Sequence, residues 1–165
     1  MTVIAWTGHR PKDLPARTYM EFRDCLDALG MGARKNVEFV VGGALGVDTW
    51  AAEYALSHHI PYTLILPFPV AVMAKFWNPA QASNLRTYAE GALSVQIIHD
   101  EDSYDVRAYQ LRNEAMVNAA DVVFAVWNYK AVGGTANCIR YALSVGKDVW
   151  NLWPLDQKLH RVRKA

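Results

Sequence analysis

The sequence predicts an α/β fold, a mostly parallel sheet of five to six strands with helices on both faces. Three observations carry that prediction. Short apolar runs alternate with stretches of helical periodicity along the chain. The runs are continuously apolar, as strands covered on both faces require. The composition, 52% hydrophobic and 20% charged over 165 residues, suits a packed core.

The elements follow in order. Residues 2–7, TVIAWT, form a β-rich run. Residues 16–29 carry Tyr19, Phe22, Leu26 and Leu29 at helical spacing, and Gly30 and Gly32 then punctuate. Residues 37–41 are a second strand. Residues 46–58 are helical, with Val47, Trp50, Ala51, Tyr54 and Ala55 on one face, and Pro61 closes the segment. Residues 62–66 and 94–98 are the third and fourth strands, separated by a long loop around Phe76 and Trp77. Residues 105–119 are helical, 121–127 a fifth strand, and 135–145 a helix closed by Gly146. Residues 148–152 are a short sixth strand. One domain is expected over 1–153, followed by a basic tail, 154–165, that frays.

The formal net charge is +1. No bulk field draws such a chain to nucleic acid or membrane, which argues against nucleic acid as a partner. Cys25 and Cys138 lie far apart within helical patterns and read as reduced, buried thiols. No apolar run reaches the roughly 18 residues of a membrane span. No basic leader or cleavage site precedes the first strand. A cytoplasmic protein with no membrane partner is expected. The five histidines show no ligand spacing beyond the adjacent His58 and His59, so neither a metal nor another cofactor is expected.

In sheets of this kind ligands sit beyond the carboxyl ends of the strands. Thr7–Pro11, TGHRP, follows the first strand and offers Gly8, His9 and Arg10. Arg10 can grip a phosphate with two parallel hydrogen bonds. Val40–Asp48, VVGGALGVD, follows the second, with Gly42, Gly43 and Gly46 before Asp48. A glycine turn opening a helix presents free N–H groups and a positive dipole end, which suits phosphate. Its spacing matches neither the dinucleotide fingerprint nor a P-loop. Gly133, Gly134 and Thr135 form a second such turn after the fifth strand. Two of them in one sheet favour phosphate binding, with Asp48 near a sugar. On that reading Gly43→Val abolishes nucleotide binding and leaves the protein folded. Asn113 falls on the apolar face of its helix beside Arg112, and a buried amide needs a polar partner. Trp77 and Tyr109 are candidates to stack on a base.

Taken in order, TGHRP, GGALGVDTWAAE, RNEAMVNAADVVFAVW and GGTANCIRYA resemble the SLOG superfamily, and within it the YpsA-like branch, over roughly residues 1–150. The resemblance implies a Rossmann-like sheet whose glycine loops bind nucleotides or nucleotide-derived ligands. The superfamily includes the LOG phosphoribohydrolases and the single-strand-DNA-binding DprA proteins. The phosphoribohydrolases carry PGGxGTxxE with a catalytic Glu. Here Gly134-Thr135 matches its GT, but Cys138 stands at the Glu position, and the Pro-Gly-Gly is absent.

Three readings stay open. The first is a sensor or sequestering module for a nucleotide-derived small molecule. The second is an N-glycosidic hydrolase of a nucleoside monophosphate, with Arg112, Glu114 and Asp48 as the candidate catalytic set and Glu53 as a substitute acid. The third is a single-stranded nucleic acid binder. Related proteins often pair, so a homo-oligomer is compatible with the resemblance.

Overall fold

A computed structural model describes residues 1–165. Seven strands form one sheet: β1 (Thr2–Gly8), β2 (Val37–Val41), β3 (Tyr62–Leu66), β4 (Ser94–Ile97), β5 (Val122–Val126), β6 (Asp148–Asn151) and β7 (His160–Val162). Their order across the sheet is β4-β3-β2-β1-β5-β6-β7. All neighbours are parallel except β6 and β7. Six helices accompany them: α1 (Thr18–Ala28), α2 (Val47–Ser57), α3 (Val70–Met73), α4 (Pro79–Gly91), α5 (Arg107–Ala119) and α6 (Gly134–Ser144).

Alternate residues of each strand feed two cores. Ile4, Trp6, Phe39, Leu64 and Phe124 face α1, α2 and α4 with Phe22, Leu26, Ala51, Leu85 and Tyr88. Ala5, Val40, Ile65, Val123 and Ala125 face α5 and α6 with Met116, Val117, Cys138 and Ile139. Trp6 is fully buried, with Phe22, Phe39 and Phe124 edge-on around it at 5.2–5.5 Å. Burying both sheet faces is the largest favourable contribution to the fold, at about 25 cal/mol per Å² of apolar surface.

Two expectations are corrected. The tail does not fray but adds the seventh strand: Leu155 enters the first core, Val162 packs on the second, and Arg161 pairs with Asp148 at 2.6 Å. A seventh, antiparallel strand blunts what would otherwise be an open edge. Residues 67–93 are not a long loop but a helical crossover through α3 and α4. Asn78 begins α4 with a capping box: it accepts from Gln81 N–H at 2.8 Å, and the Gln81 side chain accepts from Asn78 N–H at 3.2 Å. Pro79 occupies the first turn. Trp77, just before this cap, packs against the first core.

No helix is long and apolar enough to cross a membrane.

The strand order places the site. From β1 the chain runs outward through β2, β3 and β4, then returns to the other flank of β1 for β5. The connections therefore diverge at the carboxyl ends of β1 and β5. Such a switch point opens a crevice that no crossover covers.

Candidate functional site

A cavity of about 330 Å³ occupies that crevice. The loop after β1 lines it with Gly8, His9, Arg10, Lys12 and Asp13. The loop after β5 contributes Lys130, Val132, Gly133, Gly134 and Thr135, and Ala44 and Asp48 follow β2. From α5 come Tyr109, Arg112 and Asn113. Four cationic side chains therefore face two carboxylates, an excess that favours an anion.

At the floor lies a buried polar network. Arg112 and Asp48 are 6% and 7% exposed, and their Nη1 and Oδ2 atoms stand 3.3 Å apart. Arg112 Nη1 also donates to the Gly42 carbonyl, and its Nε donates to Asn113 Oδ1 at 2.9 Å. Asn113 in turn donates to the Gly134 carbonyl at 3.4 Å. Asp48 accepts the Ala44 N–H at 3.2 Å. Burial pushes the Asp48 carboxyl above its ordinary range, and Arg112 and the Ala44 N–H oppose that shift. The network ties the loop after β2 to α5 and to the start of α6. It supplies the polar partner that Asn113 needs on an apolar helix face.

The two glycine turns differ in what surrounds them. A Cβ at Gly42 would stand 2.1 Å from Arg112 Nη1. One at Gly46, where φ is +100°, would stand 2.5 Å from the His9 carbonyl. One at Gly43, where φ is +73°, would stand 2.4 Å from Leu66. These three glycines are required by the chain's own packing, and the first turn of α2 already holds the Asp48 carboxylate. Around Gly133 and Gly134 nothing lies within 4 Å of an added Cβ. Gly133 caps α6 at φ +108° with no side-chain cap. The N–H groups of Gly134, Thr135 and Ala136 have no intrahelical acceptor. Those of Gly134 and Thr135 open on the cavity at the positive end of an 11-residue helix.

The expected behaviour of Gly43→Val is therefore corrected. Valine at a positive φ against Leu66 destabilises the fold by about 2–4 kcal/mol. Chemical denaturation checks this; a wild-type midpoint would contradict it.

The loop after β5 is held in place. Asn151, fully buried, accepts from the Trp127 and Trp153 N–H groups at 3.0 and 3.1 Å and donates to the Trp127 carbonyl at 2.8 Å. Trp127 Nε1 donates to the Lys130 carbonyl at 2.9 Å, and Arg140 donates to that of Ala131 at 2.8 Å. His9 Nε2 accepts the Asn128 N–H at 3.2 Å, which places the imidazole proton on Nδ1.

Burial holds the His9 pKa below its ordinary 6.5. A group depressed in the fold gives stability that is full above its unfolded pKa and lost as pH falls through its folded one. Wild-type stability therefore declines below pH 6.5, and His9→Gln removes that part of the decline. Thermal melts from about pH 5 to 8 check it; parallel wild-type and variant curves would contradict it.

Of the sequence-derived candidates, Gly8, His9, Arg10, Asp48, Tyr109, Arg112, Asn113, Gly133, Gly134 and Thr135 line one cavity. Gly42 and Gly43 lie behind it. Gly46 and Glu53 line a different cavity, and Glu114 accepts from Gln110 at 3.1 Å outside both. Trp77 lines a small neighbouring slot with Arg10, Ala44 and Tyr109. Sequence reasoning missed Lys12, Asp13, Lys130 and Asn151. The two lysines carried a signal, since each follows a strand by a few residues.

The sequence model of the YspA SLOG family matches residues 21–148. The chain belongs to the YspA SLOG family. The match runs from α1 to the start of β6, so it spans most of the elements that build the crevice.

Solved structures share the fold of this SLOG chain. DNA processing protein A from Helicobacter pylori, described for its single-stranded DNA binding mode, is 18% identical with a TM-score of 0.67 over 91% of this chain and 65% of its own. DNA processing protein A (DprA) from Streptococcus pneumoniae is 16% identical with a TM-score of 0.66, over 92% and 50%. The structural genomics target TM1055 is 22% identical with a TM-score of 0.57, over 90% and 72%. The chain thus spans about two thirds and one half of the two DNA processing proteins. No curated protein sequence matches it.

These likenesses correct the argument against nucleic acid. A near-neutral net charge does not exclude that partner, because the fold is shared with a protein that binds single-stranded DNA. Charge acts where it is placed, and here Arg10, Lys12 and Lys130 gather at one crevice.

Proposed function

We propose that this SLOG chain binds a nucleotide or nucleotide-derived small molecule in the switch-point cavity, with its phosphate at the start of α6. The carrying observation is that Gly133 and Gly134 open on empty space beside unpaired helix N–H groups and Lys130. Gly8, His9 and Arg10 close the opposite side, with Thr135 able to add its hydroxyl to a phosphate. Gly42, Gly43 and Gly46 shape the cavity from behind. Tyr109, and Trp77 beyond it, offer ring surfaces for a base. The Asp48–Arg112 pair holds the floor, and its charges are largely spent on each other.

Hydrolysis is the weaker reading. Position 138 holds a thiol that burial pushes up to about 11, not a carboxylate. Asp48 is engaged by Arg112 and Ala44, and Glu114 lies outside the cavity.

Equilibrium dialysis against paired nucleotides and nucleosides, read by mass spectrometry, tests the proposal. Nucleotides are retained intact and the matching nucleosides are not. Retention of neither overturns it, and release of free base would make the chain an N-glycosidase.

The likeness to a single-stranded DNA binder supports a second reading, with one nucleotide unit of a strand seated in the same cavity. Salt separates the two. A strand touching several phosphates loses affinity steeply as salt rises, and a mononucleotide loses little.

A further inference from the structure

A second cavity, of about 290 Å³, lies on the face of the sheet covered by α1, α2 and α4. A wall divides it from the first. Gly46 touches Arg10 and Pro11 so closely that a Cβ there would stand 3.1 Å from both. Behind the wall the chemistry reverses. The first cavity gathers arginine and lysine; the second has no cationic side chain in its lining.

Three aromatic rings line it, one from each helix: Tyr19 of α1, Trp50 of α2 and Tyr88 of α4. Glu53 is the one carboxylate among them, with the amides of Gln81 and Asn84 at the rim. Tyr19 Oη donates to Glu53 Oε1 at 2.7 Å, which fixes the carboxylate. Arg23 approaches that same oxygen at 3.7 Å, from outside the lining. Tyr19 and Trp50 meet edge to face at 5.6 Å. The Tyr88 phenol is pushed up to about 12 by burial and by the nearby Glu53, so it remains an uncharged phenol at neutral pH.

Ring faces carry negative quadrupole charge and attract cations, most strongly when a carboxylate adds to the field. We infer that this cavity is a binding site for a small organic cation, of the alkylammonium or guanidinium class, held between Tyr19, Trp50 and Tyr88 with Glu53 as its counter-charge. The inference does not depend on what the first cavity binds.

The test uses choline and agmatine as probes, with 3,3-dimethylbutan-1-ol as the uncharged isostere of choline. Binding is followed at the indole N–H resonance of Trp50, assigned with Trp50→Phe. Both cations produce a saturable shift, and the uncharged alcohol binds roughly tenfold more weakly or not at all. Glu53→Gln keeps an acceptor for Tyr19 and weakens choline about tenfold. Lys130→Ala, in the other cavity, leaves choline binding unchanged. The Glu53→Gln melting temperature is measured alongside, so that a loss of fold is not read as a loss of site. Three outcomes overturn the inference: no saturable shift with either cation, equal binding of choline and its isostere, or unchanged binding in a folded Glu53→Gln variant.

Discussion

Arg112→Leu lowers the stability of the chain by about 3–5 kcal/mol at neutral pH, the largest single-site loss expected here. The cost comes less from the lost attraction than from what remains. Asp48 stays 7% exposed with its countercharge gone, and the Gly42 carbonyl and Asn113 Oδ1 lose their donor. Burial already raises the Asp48 carboxyl above its ordinary value, and removal of Arg112 raises it further. A carboxyl whose folded pKa is raised contributes its stability below the unfolded pKa and loses it as pH rises through the folded one. The deficit of Arg112→Leu therefore narrows as the pH falls toward the ordinary carboxylate range. Urea denaturation at several pH values measures this. A deficit that is small, or that does not change with pH, would show that the pair is not the keystone of the site.

Gly134→Val has the opposite profile. It keeps the fold, because φ at this position is not positive and an added Cβ meets nothing within 4 Å. It costs the helix nothing in propensity, because glycine is a poorer helix former than valine. Its methyl groups enter the cavity where the first N–H groups of α6 open. Losing charge-assisted hydrogen bonds of about 1.5–3 kcal/mol weakens nucleotide binding roughly 10–100-fold. Dialysis and a thermal melt on the same sample check both halves. A variant that binds as wild type does would place the ligand elsewhere.

Much of this architecture was legible in the sequence. The central strands β1, β2, β3 and β5 declare themselves because both sheet faces are covered there, which makes each a largely apolar run. The helix around Arg112 and Asn113 showed its buried polar residue for the same reason. Where the sequence left a choice open or pointed elsewhere, the causes are physical too. Gly42, Gly43 and Gly46 look the same in sequence whether a ligand or a neighbouring side chain needs the space, and only the positions of Arg112, Leu66 and the His9 carbonyl decide. The start of α4 was written in Asn78, Pro79 and Gln81, but the aromatic pair before it drew the segment toward a loop. Residues 160–162 read as solvated because Arg161 is charged, and its partner Asp148 lies across a strand pair that sequence order does not reveal. Lys12 and Lys130 join one site only once β5 is laid beside β1.

In the proposed mode of binding, the phosphate end of the ligand sits at α6 and not at α2. Titrating a retained nucleotide into ¹⁵N-labelled protein and following the backbone amides tests that most directly. Saturable shifts centred on Gly133, Gly134, Thr135 and Ala136 are expected, with those of Val47 and Asp48 small by comparison. Shifts centred on Val47 and Asp48, or none in either turn, would contradict it.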